Sequence, residues 1–289
     1  MPDTSLPRVH RVEGSLFPVN AYIVETRDAL VIVDAMLGVT DGRALRARAD
    51  ALGKPIAAVV VTHAHPDHYG GIAPLLDGLD VPILAVTGAD AVIRRDDASK
   101  EQILRPMFGA EWPQRRTFPN RTVADGDVIQ LGGATFRVVD LGPGESPHDS
   151  LWLLETDGRT IAAFAGDLAY GHMHGYLADG FYDGWLRNIV RARALLGSDT
   201  TLYIGHGEPG PAGALLDWQE RYVNTFIDAV RSIPSVGESG TASDSAATER
   251  VTQAMQRYLP GEDLLFLMQL SVPPMRQLLA GESRERPQQ

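Results

Sequence analysis

The sequence predicts a mixed α/β fold, on three observations. The chain divides into two β-rich halves, each followed by helical stretches. An apolar strand-like run, Ala58 to Val61, ends abruptly in a packed set of metal-ligand side chains. No run approaches the ~20 apolar residues of a membrane span, and the composition, 44% hydrophobic and 22% charged, has ample apolar residues for a core.

In chain order, Val9–Val12, Asn20–Glu25 and Leu30–Asp34 read as the first strands, with Thr26 to Asp28 as a hairpin turn. Asp41 to Leu52 carries Leu45, Ala49 and Leu52 at helical spacing and stops at Gly53. The buried strand then feeds Thr62, His63, His65, Asp67 and His68. In extended chain His63 and His65 share a face, while Pro66 turns the backbone and aims Asp67 and His68 from another direction. Four donors within six positions suit two adjacent cations, and imidazole with carboxylate is the usual donor set for zinc, iron or manganese. Ile72–Leu79 reads as a short helix with Pro74 in its first turn.

This H-x-H-x-D-H run resembles the signature of the metallo-β-lactamase superfamily, and VNAYIVE followed by ALVIVDA is similar to the opening strands of its glyoxalase-II-like branch. The resemblance extends from about Val9 to about Gly210. It implies a four-layer αββα sandwich with a dinuclear metal cluster at one end, between the sheets. The expectation is one domain over residues 1–289, its core at about 9–210 and a helical extension at 211–289 packed on it.

Val81–Ala85 reads as a strand and Gly88–Arg95 as a helix; Asp96–Asn120, with Pro106, Pro113 and Pro119, reads as a helix followed by an irregular loop. In the family such segments wall the active site or make dimer contacts, so a homodimer is allowed. From Thr122 to Leu141 the pattern is β, with turns at Asp125–Asp127 and Gly132–Gly133. The next loop, Gly142 to Ser150, departs from the family's Gly-His-Thr-x-Gly-Asp. Laid against that pattern without a gap, Glu145 takes the ligand position and Asp149 the aspartate; His148, three residues on, is the competing candidate. An incomplete first site is the third outcome.

Ala165-Gly166-Asp167 follows another hairpin and resembles the family's bridging aspartate. Ala169–Trp185 holds His172, His174 and Tyr176, read as a wall of the substrate site or as packing aromatics. Trp185–Leu196 is helical by spacing, and Thr201–Ile204 leads into Gly205-His206-Gly207, which matches the family's closing ligand. Leu215–Arg231, Thr248–Leu259 and Asp263–Leu279 read as helices, the last interrupted at Pro273–Pro274. Glu238–Thr248 reads as a flexible loop and Glu282–Gln289 as a frayed tail.

The resemblance therefore assigns His63, His65 and Glu145 to one metal, Asp67, His68 and His206 to the other, and Asp167 to the bridge. It implies two divalent ions, zinc first with manganese or iron as alternatives, activating hydroxide against an ester, lactone, thioester or amide of a small molecule, with Asp67 passing a proton. The net charge of −11 and the absence of basic runs disfavour nucleic acid. No cysteine is present, which excludes disulfides and thiolate ligands. The N-terminal stretch lacks a signal-like apolar run, so the expected location is cytoplasmic. Glyoxalase II chemistry is disfavoured by the altered Glu145 loop and the lack of a basic patch for glutathione carboxylates. Two other classes stay open: a mononuclear iron oxygenase built on His63, His65 and Glu145, and a non-catalytic metal-binding domain.

Overall fold

A computed structural model of the chain describes residues 6–233 and 244–285. The first half is β1 (Arg8–Glu13), β2 (Asn20–Glu25), β3 (Leu30–Val33), α1 (Val39–Asp50), β4 (Ile56–Val60), α2 (Pro66–Tyr69), α3 (Ile72–Leu76), β5 (Ile83–Val86), α4 (Thr87–Phe108) and β6 (Arg121–Val123). Its strands form one sheet in sequence order, antiparallel up to β3 and parallel from β3 to β6. The second half is β7 (Val128–Leu131), β8 (Ala134–Gly142), β9 (Asp149–Thr156), β10 (Arg159–Phe164), α5 (Tyr182–Leu195), β11 (Thr201–Tyr203), β12 (Gly210–Pro211), α6 (Ala212–Arg231), α7 (Asp244–Tyr258) and α8 (Leu265–Glu285). Its sheet runs β12-β11-β10-β9-β8-β7, with β10 and β11 its one parallel pair.

Two cores follow from the period-2 alternation of the second sheet. Phe136, Val138, Trp152, Leu154 and Phe164 face the first sheet and join its Val, Ile and Ala side chains. Their neighbours Val139, Leu151, Leu153 and Ala163 point the other way, under Trp185 and Ile189 of α5 and Leu216, Tyr222 and Phe226 of α6. The result is helix, sheet, sheet, helix, and each fully buried Leu or Phe contributes about 1.5–3 kcal/mol.

The structure departs from the expected elements at four places. A single helix, α4, covers what reads as a helix plus a mixed segment. It continues to Phe108 with Pro106 inside, because Arg105, Glu101, Arg116 and Trp112 form a hydrogen-bonded network that fastens its last turns to the loop beyond. α8 runs through Pro273 and Pro274 without stopping. Each proline costs a helix about 3 kcal/mol, but Val272 and Met275 on either side are fully buried against the C-terminal helices, and that burial holds the helical path. Asp244–Thr248, expected as loop, is the first turn of α7; the rest of the expected Glu238–Thr248 loop lies outside the described residues. The expected tail begins as helix up to Glu285, where the Tyr182 hydroxyl donates to the Glu282 carboxylate at 2.8 Å; residues 286–289 lie outside the described part. No helix among the described residues is long and apolar enough to cross a membrane.

Candidate metal centre

The site forms where the ends of β3, β4, β8, β10 and β11 meet. β4 ends at Val60, and two residues on, Thr62 bonds to the other half: the Ser150 N–H donates to the Thr62 carbonyl at 3.0 Å, and His63 makes a bridge with Asp149. On the other side, Asn20 of β2 donates its side-chain amide to the carbonyls of Ile204 and Gly207, at 3.0 and 2.7 Å, and fixes the loop that carries His206.

Seven side chains converge as two groups. In the first, His63, His65, Glu145 and Asp167 place one donor atom each within 4.8 Å of one another; in the second, Asp67, His68 and His206 do the same. Asp167 links them: its carboxylate lies 3.9 Å from His63 Nε2, 3.3 Å from His68 Nε2 and 3.1 Å from His206 Nε2. Glu145 Oε2 is 2.9 Å from His65 Nδ1 and 3.7 Å from His63 Nε2.

Each imidazole is aimed by what its outer nitrogen touches. His68 Nδ1 bonds Asp34 Oδ2 at 2.8 Å, His65 Nε2 bonds Asp179 Oδ2 at 3.0 Å, and His206 Nδ1–H donates to the Pro18 carbonyl at 2.5 Å. His63 Nδ1 meets Thr62 Oγ1 at 3.0 Å, and that hydroxyl in turn donates to Asp34 Oδ2. Asp34 thus orients a ring of each group, from a left-handed backbone at φ +59° just past β3. Locking the outer nitrogen fixes the tautomer and leaves the inner nitrogen free to ligate.

Burial pushes the Glu145 carboxyl up to about 8, with His65 beside it pulling the other way. Burial also raises Asp149 to about 6, although Ser146 and the Glu145 and Ser146 amides hydrogen-bond it; through those bonds Asp149 shapes the loop that presents Glu145. Burial opposes charge on His206, yet Asp167 and Asp67 raise it to about 10. His68 is raised well above the ordinary imidazole range in the same way, burial being outweighed by Asp167 and Asp34.

The donor set fits divalent cations. His63 Nε2, His68 Nε2, Glu145 Oε2 and Asp167 Oδ1 are buried and make no well-aligned hydrogen bond, only close polar contacts with one another and with His65, and a buried polar atom left so costs about 1–3 kcal/mol. Cations held between them would satisfy all four. Gly205 shows how closely the parts approach: a Cβ there would collide with Asp167 Oδ1 and His68 Cε1. Gly205→Ala is expected to weaken metal retention roughly tenfold or more, measured as metal content after dialysis; unchanged content would mean the neighbours give way.

The remaining expected site residues fall elsewhere. His148 is turned away from the cluster. Its Nε2 bonds Asp140 Oδ1 at 2.7 Å and its ring lies on Gly88, in the space a Cβ there would need. His172 packs edge-on against Trp218, and His174 is buried, meeting the Tyr222 hydroxyl and the Gly261 carbonyl at 3.1 Å each. Neither lines the cavity over the cluster, because the loop after Tyr170 turns both rings towards α6 and the C-terminal helices. Tyr176 does line it, 5.4 Å from the His65 ring. Tyr170 stacks on His206 and directs its hydroxyl at Glu145 Oε1 and Asp167 Oδ2, both at 2.9 Å. Asp179 was missed; it lies 114 residues from His65 and carries no local signal.

A family model described as the metallo-beta-lactamase superfamily matches residues 14–206. The chain belongs to that superfamily. It is 26% identical over 202 residues to a hydroxyacylglutathione hydrolase of Idiomarina loihiensis, covering 69% of this chain and 65% of the relative. It is 24% identical over 292 residues to the atrochrysone carboxyl ACP thioesterase of Passalora fulva, covering 96% and 77%. Among solved structures, one of a protein in a di-iron-bound form is 27% identical with a TM-score of 0.56, covering 71% of this chain and 95% of that one. The chain spans about half to two-thirds of the length of the first curated relatives it matches.

Proposed function

We propose that the protein is a metallo-hydrolase that cleaves an ester, lactone or thioester of a small molecule at a dinuclear site. The observation that carries the reading is the pair of donor groups joined through Asp167, with four buried atoms that make no well-aligned hydrogen bond to the protein. His63, His65 and Glu145 would hold one ion and Asp67, His68 and His206 the other, with Asp167 placed within reach of both groups. Relatives named as hydrolases and a thioesterase support the class, and the di-iron neighbour supports the nuclearity. Two divalent ions held there would supply Lewis acidity and a water of lowered pKa.

The chain's own residues do the rest. Asp67 is the most exposed carboxylate of the cluster, its side chain 16% accessible against 2% for Asp167 and none for Glu145, and it faces the cavity. Although burial opposes ionisation, His68 and His206 hold its carboxyl below the ordinary range. It is the group placed to accept a proton from water and return it to a leaving oxygen or sulfur. Burial, with Asp167 and Glu145 nearby, keeps the Tyr170 phenol well above its ordinary value, so it stays a neutral O–H donor on the cavity floor.

Zinc, manganese and iron all suit this imidazole and carboxylate set, and the Glu145 oxygen favours the harder ions relative to an all-histidine site. The test is metal content of protein purified without added metal, followed by a panel of esters, lactones and thioesters. About two equivalents and turnover abolished by chelator are expected. One iron per chain, oxygen consumption and no hydrolysis would overturn the reading.

A further inference from the structure

We infer that the substrate carries a sizeable, uncharged apolar group, so that the enzyme prefers acyl or alkyl esters, lactones or thioesters with medium-length hydrophobic chains over short polar ones. This rests on the hydrolase reading of the same site and names its substrate class.

The cavity above the cluster has a volume of about 670 Å³, within the range of sites that enclose a whole small molecule. Its floor is polar, formed by the ligands with Tyr170 and Tyr176; its walls are apolar. One wall is α4, with Ile103 and Met107; another is α8, with Phe266 and Leu270; Phe17 closes the side beside His206. Phe17 links the two, packing edge-on against the His206 ring at 5.7 Å and against Phe266 at 6.0 Å, so an apolar ring joins the metal-donor cluster to the α8 wall.

The state of these walls is informative. Ile103 is 56% exposed, Met107 62%, Phe266 45% and Leu270 58%, and all four line the same cavity. Scattered apolar residues on a surface are ordinary, but large ones collected from two helices around one opening mark a binding surface. Each of these side chains sits in water until an apolar ligand covers it, and covering apolar area is worth about 25 cal/mol per Å².

Charge points the same way. Apart from the cluster histidines, Lys100 is the one cationic residue lining the cavity among the described residues, and its charge already helps to hold the nearby Asp179 carboxyl low. Away from the metal donors, a polyanionic substrate would find a single lysine among the apolar walls to meet it.

The test has an activity arm and a binding arm. The metal-loaded protein is assayed with p-nitrophenyl acetate, butyrate, hexanoate and octanoate, and with S-lactoylglutathione. The metal-free and metal-loaded proteins are titrated calorimetrically with 2-butanone, 2-hexanone and 2-octanone, which cannot be hydrolysed. Both arms are repeated on the double variant Ile103→Ser/Leu270→Ser, whose positions are exposed enough to leave folding intact.

In wild type, kcat/KM is expected to rise about fourfold per added methylene from acetate to octanoate, and 2-octanone to bind far more tightly than 2-butanone. In the double variant the octanoate ester is expected to lose at least tenfold and the acetate ester less than twofold. Ester turnover with a flat chain-length profile, or S-lactoylglutathione outperforming octanoate, would overturn the apolar-substrate inference and leave the hydrolase reading standing. No turnover of any substrate, with ketone binding that still strengthens with chain length and weakens in the variant, would overturn the hydrolase reading and support an apolar ligand. Absence of both would sink the two together.

Discussion

Replacing Glu145 by alanine is expected to reduce bound metal from about two equivalents to about one and to lower hydrolysis by two to three orders of magnitude, the loss typical when one preorganised charge-stabilising element is removed. Glu145 is the carboxylate that its group contributes besides the shared Asp167, and its Oε2 is one of the buried atoms without a well-aligned hydrogen bond. His148→Ala serves as the control: its ring is bonded to Asp140 and packed on Gly88, so both equivalents should remain. Glu145→His separates charge from geometry. It restores the residue the family pattern carries, and is expected to recover the second equivalent with preference shifted from manganese towards zinc. Metal analysis decides the matter; a Glu145→Ala chain that keeps two ions, or a His148→Ala chain that loses one, would refute the assignment.

The second large effect is expected at Asp34, which bonds no metal-facing atom. Asp34→Ala removes the acceptor of His68 Nδ1 and of the Thr62 hydroxyl and backbone N–H. Loss of such an orienting carboxylate weakens metal affinity by about 10- to 100-fold. Three buried donors are stranded at once, which is expected to cost about 3–5 kcal/mol of stability, and alanine at φ +59° adds about 1–2 kcal/mol. Asp34→Asn separates the two effects, because asparagine tolerates the left-handed backbone and keeps one acceptor oxygen. It should retain most of the stability while still losing metal affinity. Competition with a chromophoric chelator measures the affinity and thermal unfolding the stability; an Asp34→Asn chain with undiminished affinity would remove Asp34 from the account.

The contrast between these two residues shows what was legible in the sequence. Glu145 could be found because the loop after β8 has a fixed register with the strand before it, so a gap-free comparison places it. The strands were legible for a similar reason: alternation in β8 to β10 sorts Trp152 from Leu153 by face. Partners that aim the histidines were not legible, since Asp34 and Asp179 reach His68 and His65 across 34 and 114 residues, and no local pattern marks an acceptor supplied from that distance. Asp34 could be suspected only from its place at a strand end. Helix limits failed where tertiary contact outweighed local preference: Pro106 and the Pro273–Pro274 pair are written as breaks, yet α4 and α8 hold through them. His172 and His174 failed through direction, because a loop of glycines and aromatics does not reveal which way its rings turn.

The cluster lies on the seam between two halves that have no covalent link except the chain itself. His63, His65, Asp67 and His68 come from one half, and Glu145, Asp167 and His206 from the other, so neither half owns a complete donor group. A local opening at the rim of that seam would separate the donors of both groups at once, and bound ions could leave while the core between the sheets stays closed. Where free metal is scarce, an ion lost that way would seldom be replaced, and a transient opening would become a lasting loss of the metal-loaded form. The working lifetime of a metal-loaded chain would then follow how often the seam opens and how much free metal surrounds it, ahead of the free energy of complete unfolding.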